Sequence, residues 1–162
     1  MTPVNPQVLM ALTTGIQAEA ASYVFYVEAA KKAQAADFKD VLKKLALEEK
    51  MHFQLLEGQH DSLVRSEKWI STADALKRPG LPEISEDMTE RHKDLIREVQ
   101  QAGTVQKILD IAYRLEEEAY DMFDAASNRT DSPDGKKMFA ELAKFESGHM
   151  TIIKEMMKKY AH

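Results

Sequence analysis

The chain has 162 residues, a formal net charge of −5 and no cysteine, which is enough length for one domain with a sizeable core. The lack of cysteine excludes disulfides, cysteine-ligated iron–sulfur clusters and thiol catalysis, and the acid excess gives no reason to expect nucleic acid or an anionic membrane as a partner. Because no apolar run approaches about 18 residues and no signal peptide is visible, we expect a cytoplasmic protein.

Apolar residues that recur every three or four positions predict four long helices. The predicted helices span residues 5–35, 38–58, 104–127 and 133–160. Asn5-Pro6 and Ser132-Pro133 each offer an N-cap followed by a proline at the first helical position. Residues 59–103 are predicted as a crossover with one short helix in its second half. The sequence therefore predicts an all-α, antiparallel four-helix bundle as a single domain over residues 1–162.

An internal repeat places acids and histidines on the apolar faces of these helices. Glu49 and His52 are three residues apart, so their side chains leave one face of the second helix. The same pair recurs 97 residues later in the fourth helix, and a further glutamate lies thirty residues before each pair. One Glu-x-x-His pair is weak evidence, but two copies in register with two more glutamates form a strong pattern.

Four carboxylates and two imidazoles in a bundle interior are strongly destabilising unless cations compensate them. Two divalent ions balance the four negative charges, and this residue set is typical of carboxylate-bridged di-iron or di-manganese bundles. The predicted metal ligands are Glu19, Glu49, His52, Glu116, Glu146 and His149. We expect Glu49 and Glu146, each beside its histidine, to bridge the ions, while Glu19 and Glu116 each bind one.

Two tyrosines follow the unpaired glutamates by one helical turn. Tyr23 lies four residues after Glu19, and Tyr120 lies four residues after Glu116. We expect both to line the cavity, where a hydroxyl could hydrogen-bond to a ligand carboxylate. Tyr26, two turns after Glu19, is a third candidate. The alternative for these tyrosines is packing in the core.

The motifs resemble those of the ferritin-like superfamily, and most closely the rubrerythrin di-iron domain. The first and third helices read Glu-x3-Tyr, and the second and fourth read Leu-Ala-x2-Glu-x2-His, within residues 8–57 and 105–157. The resemblance implies a non-haem centre of two iron ions, with manganese as the other option. It further implies reaction with hydrogen peroxide or oxygen and a homodimer. Because this chain has no cysteine to hold the iron of a rubredoxin-like domain, we expect the electron donor to be a separate molecule such as a rubredoxin-like protein.

Two departures from the rubrerythrin pattern leave alternatives open. Rubrerythrins carry a further glutamate three residues after the third-helix ligand, and here that position is Ala119. They also usually carry a rubredoxin-like domain with four cysteines, whereas this chain has none. The alternatives are an iron-binding or ferroxidase protein used in storage, a di-iron hydroxylase of an organic substrate, and a purely structural bundle.

Overall fold

The structure, a computed structural model, describes residues 5–77 and 86–160. Within these ranges the chain forms seven α-helices and no strand. In chain order they are α1 (Pro6–Lys32), α2 (Ala36–Ser66), α3 (Thr72–Leu76), α4 (Glu86–Arg91), α5 (Lys93–Gln101), α6 (Val105–Arg129) and α7 (Pro133–Lys159). None of the described helices is long and apolar enough to cross a membrane.

The long helices begin where local hydrogen bonds or a proline favour a helix start. The side chains of Asn5 and Thr104 accept hydrogen bonds of 2.8 and 3.1 Å from backbone N–H groups in the first turns of α1 and α6. These bonds satisfy donors that have no partner within the helix. α7 begins at Pro133, but the side chain of Ser132 makes no capping hydrogen bond to a described residue. The proline therefore accounts for this start better than the serine hydroxyl does.

The four long helices form the predicted bundle. α1 packs along α2 and α6 packs along α7, while α1 also contacts α6 and the contact between α2 and α7 is sparse. The chain crosses over between α2 and α6, and α5 of this crossover packs on α1. The all-α fold expected from the sequence is thereby confirmed.

Two large apolar clusters fill most of the bundle, and a polar layer lies between the positions that each long helix contributes to them. One includes Phe25, Phe38, Leu42, Leu109 and Ile153. The other includes Leu12, Leu56, Phe123, Phe139 and Leu142. A small third cluster contains Ala20 and Phe53. Between the positions that each helix contributes to the two large clusters lies one buried glutamate: Glu19, Glu49, Glu116 or Glu146. Each polar position is thus held between two packed apolar regions.

The second helix continues past its predicted end at Gly58 and reaches Ser66. A glycine near the end of an apolar pattern often marks a helix C-terminus. Here, however, a Cβ on Gly58 would lie 2.9 Å from the Cβ of Ala75 in α3. The glycine therefore allows α3 to approach α2 closely. α2 ends instead at Ser66 and is followed by the C-cap residue Glu67, which has a left-handed φ of 57°.

The crossover is attached to α1 by a lysine. The single short helix predicted there is divided at His92 into α4 and α5. The stretch Arg78-Pro79-Gly80-Leu81-Pro82, whose prolines and glycine predict a break that no helix crosses, lies outside the described residues. Lys32 donates hydrogen bonds from Nζ to the carbonyl oxygens of Val99 and Gln100, at 3.1 and 2.7 Å, and to that of Ala102. A cation at the end of α5 satisfies carbonyl groups and interacts favourably with the helix dipole.

We expect Gly135→Ala to destabilise the fold by about 1–3 kcal/mol, because the added methyl group has no room. Its Cβ would lie 2.5 Å from Cζ2 of Trp69 and 2.8 Å from Cγ2 of Thr130. Gly148→Ala, in the same helix, is the matched control. A Cβ at position 148 meets no atom within 4 Å beyond its chain neighbours and the backbone of its own helix, so the better helix propensity of alanine should stabilise the protein by up to about 1 kcal/mol. Urea unfolding of the metal-free proteins measures both, and equal effects would contradict the packing described.

Candidate metal centre

The six side chains predicted as metal ligands meet in the polar layer. Glu19 lies on α1, Glu49 and His52 on α2, Glu116 on α6, and Glu146 and His149 on α7. Each is at most 6% exposed. Ionisable side chains are almost never buried to this degree without partners, so four carboxylates at the centre of the bundle need compensating positive charge.

These residues form two overlapping groups. One group contains Glu19, Glu49, His52 and Glu146, and the other contains Glu49, Glu116, Glu146 and His149. Within each group, one potential ligand atom from every residue lies within 4.8 Å of those of the others. Glu49 and Glu146 belong to both groups, which is the position that a carboxylate bridging two ions must occupy.

Both histidines face the acids through Nδ1. Nδ1 of His52 lies 3.4–3.7 Å from carboxylate oxygens of the first group. Nδ1 of His149 lies 3.0–3.4 Å from carboxylate oxygens of the second group. The two rings are stacked, with centroids 5.9 Å apart. Nδ1 is therefore the atom that each imidazole offers to an ion held by its group.

The hydrogen bonding of these side chains fits two divalent ions. Among the described residues, seven buried side-chain atoms have no hydrogen-bond partner, and all seven belong to this cluster. They are both carboxylate oxygens of Glu19 and Glu146, Oε2 of Glu49 and Glu116, and Nδ1 of His52. An unpaired buried polar group costs roughly 1–3 kcal/mol. Cations would satisfy these atoms together, and the combination of carboxylate and imidazole ligands favours iron or manganese.

Without metal, protons supply part of the compensating charge. Burial lowers the pKa of His52, but Glu146 and Glu49 outweigh that effect and raise it to about 9. Burial is likewise outweighed at His149, where the carboxylates raise the pKa far above its ordinary value. Burial and the charge of Glu49 raise the pKa of Glu116 well above its usual range. The metal-free site therefore holds protons at neutral pH that metal binding must displace.

We expect the stabilisation by metal to grow as the pH rises from 6.5 to about 9. The pKa of His52 is raised from 6.5 to about 9, so its pairing with the carboxylates stabilises the metal-free fold fully below 6.5 and is lost as the pH passes 9. A metal competes with that proton for Nδ1, so its affinity rises over the same interval. Thermal unfolding with and without Mn²⁺, measured anaerobically at several pH values, should show a widening difference in Tm. A constant difference would contradict this assignment.

The tyrosine that contacts the cluster is Tyr26. Its buried hydroxyl donates a hydrogen bond of 2.6 Å to Oε1 of Glu116 across the bundle, and burial followed by the charge of Glu116 raises its pKa, which keeps the proton on the phenol. Tyr23 and Tyr120 are only half-buried and pack at the edges of the apolar clusters. Neither hydroxyl hydrogen-bonds to a described residue. The hydrogen bond to a cluster carboxylate that the sequence predicts for Tyr23 or Tyr120 is therefore made by Tyr26. Any role of Tyr23 and Tyr120 in the reaction stays a prediction.

Glu48 contacts the predicted ligand His149, and the sequence pattern did not indicate this contact. Its Oε2 lies 2.7 Å from Nε2 of His149, on the side of the ring away from the cluster. From the sequence alone, a glutamate next to a predicted ligand on a charged helix is expected to point into solvent. Only the contact with His149 on α7 shows that Glu48 does not. Both residues line a surface cavity of about 450 Å³, together with Phe145, Gly148 and Ile152. The cavity brings solvent to the edge of the site.

Similarity to known families agrees with this geometry. Residues 8–159 match the model of a family described as the ferritin-like domain, and this range includes all four long helices almost completely and all six clustered side chains. No curated protein and no solved structure matches the chain at a significant level. The match covers nearly the whole sequence, and the chain therefore belongs to the ferritin-like domain family.

Proposed function

We propose that this protein is a rubrerythrin-like, non-haem di-iron oxidoreductase that reduces hydrogen peroxide or reacts with oxygen, with electrons from a separate donor. The observation that carries the proposal is the sharing of Glu49 and Glu146 by two buried groups of four ligands. A single ion needs only one such group. Two groups joined by two carboxylates suit a pair of ions that act on one small molecule.

The side chains of this site have separate tasks in the proposed reaction. Two bound ferrous ions would supply the two electrons needed to reduce a peroxide. Glu49 and Glu146 would hold both ions, while Glu19 and Glu116 would each hold one. The Tyr26 hydroxyl, whose oxygen lies 2.6 Å from Oε1 of Glu116, keeps its proton and donates it to that carboxylate as a hydrogen bond. Apolar clusters pack on both sides of the site, and the cavity lined by Glu48 and His149 lies at its edge.

A ferroxidase role is the second candidate, and Ala119 is the observation that favours it. In the rubrerythrins that the sequence resembles, this position carries the glutamate that exchanges with a histidine during the redox cycle. Ala119 is 4% exposed and packs in an apolar cluster, so it supplies no carboxylate. A fixed set of six ligands could still hold Fe²⁺ while oxygen or hydrogen peroxide oxidises it, and the ferric product would then leave the site instead of being reduced by a donor.

Anaerobic loading with Fe²⁺ followed by rapid mixing separates these functions. We expect two irons per chain, and faster oxidation by hydrogen peroxide than by oxygen, followed in the absorbance of the ferric product. Faster oxidation by oxygen, with iron leaving the site afterwards, would move the assignment to a ferroxidase. Turnover of an organic substrate by the loaded protein would instead indicate a hydroxylase.

The partners and location inferred from the sequence remain part of this proposal. A homodimer or other small oligomer suits the rubrerythrin-like function, whereas iron storage needs a large hollow assembly. Light scattering of the purified protein distinguishes the two. A rubredoxin-like electron donor and a cytoplasmic location stay predictions.

A further inference from the structure

The residues behind the ligands do not follow the internal repeat that relates the two ligand groups. The position that corresponds to Glu48, 97 residues later, is Phe145. The position that corresponds to Tyr26 is Phe123. In both cases the first half of the chain supplies a polar group and the second half supplies an aromatic ring without one. The residues that contact the ligands therefore differ chemically between the two groups, although the ligands themselves match.

Glu48 makes the first difference, because it holds one histidine and not the other. Nε2 of His149 lies 2.7 Å from Oε2 of Glu48, while its Nδ1 faces the ligand carboxylates. This bond fixes a proton on Nε2, and so leaves Nδ1 as the atom that a metal can bind. His52 instead meets the ring of Phe145, with centroids 5.0 Å apart and an interplanar angle of 64°.

Tyr26 makes the second difference, because it contacts Glu116 and not Glu19, the two glutamates that would each hold one ion. Its hydroxyl donates to Oε1 of Glu116, which fixes that carboxylate and leaves Oε2 without a hydrogen-bond partner in the described part of the chain. Both oxygens of Glu19 lack such a partner. Phe123, at the position corresponding to Tyr26, is fully buried and has no hydroxyl to donate. Both of these polar contacts, which lie in the described part of the chain, therefore serve the group that contains Glu116 and His149.

We propose that the two metal positions are inequivalent, and that the group with Glu116 and His149 binds its ion first and more tightly. This inference rests on the proposed two-metal centre and adds an order to it. A carboxylate on the outer nitrogen of a metal-binding histidine orients the ring and makes it a stronger ligand. Loss of such a partner typically lowers metal affinity about 10–100-fold. Glu48 is thus a positioning residue, and Phe145 gives His52 no equivalent support.

Anaerobic titration of the metal-free protein with Co²⁺ tests this order by calorimetry and visible absorption. Wild-type protein should bind two ions in two resolved steps. Glu48→Ala should weaken the tighter step about 10–100-fold and leave the weaker step in place. Phe145→Ala, at the matching position of the repeat, is the control and should leave the tighter step unchanged. Both positions are at least partly exposed, so both variants should fold.

Two further sets of variants assign the steps to the groups. His149→Ala should remove the tighter step, and His52→Ala should remove the weaker one. Glu48→Gln retains an acceptor for the Nε2 proton and should recover part of the affinity, which a purely structural role does not predict. Two equal steps, or an effect of Glu48→Ala on the weaker step alone, would overturn the order and leave the two-metal centre intact. Binding of no Co²⁺ by wild-type protein would overturn both the order and the proposed function.

Discussion

Replacing Glu49 and Glu146 together with alanine is expected to abolish stoichiometric metal binding. Both residues belong to both ligand groups, so the double variant leaves each group with one carboxylate and one imidazole. Two protein ligands are too few for a tight site. Elemental analysis after anaerobic loading with Fe²⁺ and desalting should therefore give close to zero ions per chain, compared with two in wild-type protein. Turnover of peroxide should be lost with the metal.

The control for this variant is the pair of neighbouring acids on α6. Glu117 and Glu118 are exposed, and replacing both with alanine removes the same charge as the Glu49 and Glu146 variant. We expect this control to retain two ions per chain. Circular dichroism should show that both variants keep their helices. Two ions in the Glu49 and Glu146 variant would contradict the assignment of these residues as shared ligands.

Glu19→Leu is expected to make the metal-free protein more stable while reducing its metal stoichiometry from two to one. The Glu19 side chain is 1% exposed, and neither of its oxygens has a hydrogen-bond partner in the described part of the chain. Its Oε1 approaches Nδ1 of His52 only to 3.6 Å, and Glu49 and Glu146 remain beside that histidine in the variant. Replacing it with an apolar side chain of similar size should raise the free energy of unfolding by roughly 1–3 kcal/mol. In a domain of this size that corresponds to a rise in Tm of roughly 2–12 °C.

Excess metal should reverse this order of stability. An ion that binds only the folded protein adds about 4.1 kcal/mol at a free concentration about one thousand times its Kd. This exceeds the stability expected from the substitution, and the variant lacks one of the two sites. Glu117→Leu, on the exposed face of α6, is the control and should change stability by no more than about 0.5 kcal/mol. A less stable metal-free Glu19→Leu protein would mean that Glu19 is a structural residue, and that its burial is no sign of metal binding.

The positions of the six clustered side chains could be predicted because helical periodicity and the repeat constrain them strongly. Glu49 and His52 must share a face of α2, and the register of the two halves distinguishes Glu116 from its neighbours Glu117 and Glu118. Each of these inferences uses spacing within one helix or between two equivalent helices. Neither depends on how far one helix is rotated against another.

The residues behind the ligands could not be predicted in the same way, because they depend on contacts between helices. Tyr23 lies at the better spacing from Glu19 on its own helix, yet Tyr26 reaches Glu116 across the bundle. Glu48 contacts a histidine 101 residues away on α7. The helix end predicted at Gly58 is wrong, since this glycine lies inside α2, where the lack of a side chain makes room for Ala75 of α3.

The most direct test of a two-metal centre is an anomalous difference map at the iron absorption edge from crystals loaded anaerobically with Fe²⁺. We expect two peaks per chain in the layer between the apolar clusters. One should contact His52 and the other His149, with Glu49 and Glu146 in contact with both. A single peak, or no peak among these side chains, would contradict the assignment of this cluster as a di-iron site.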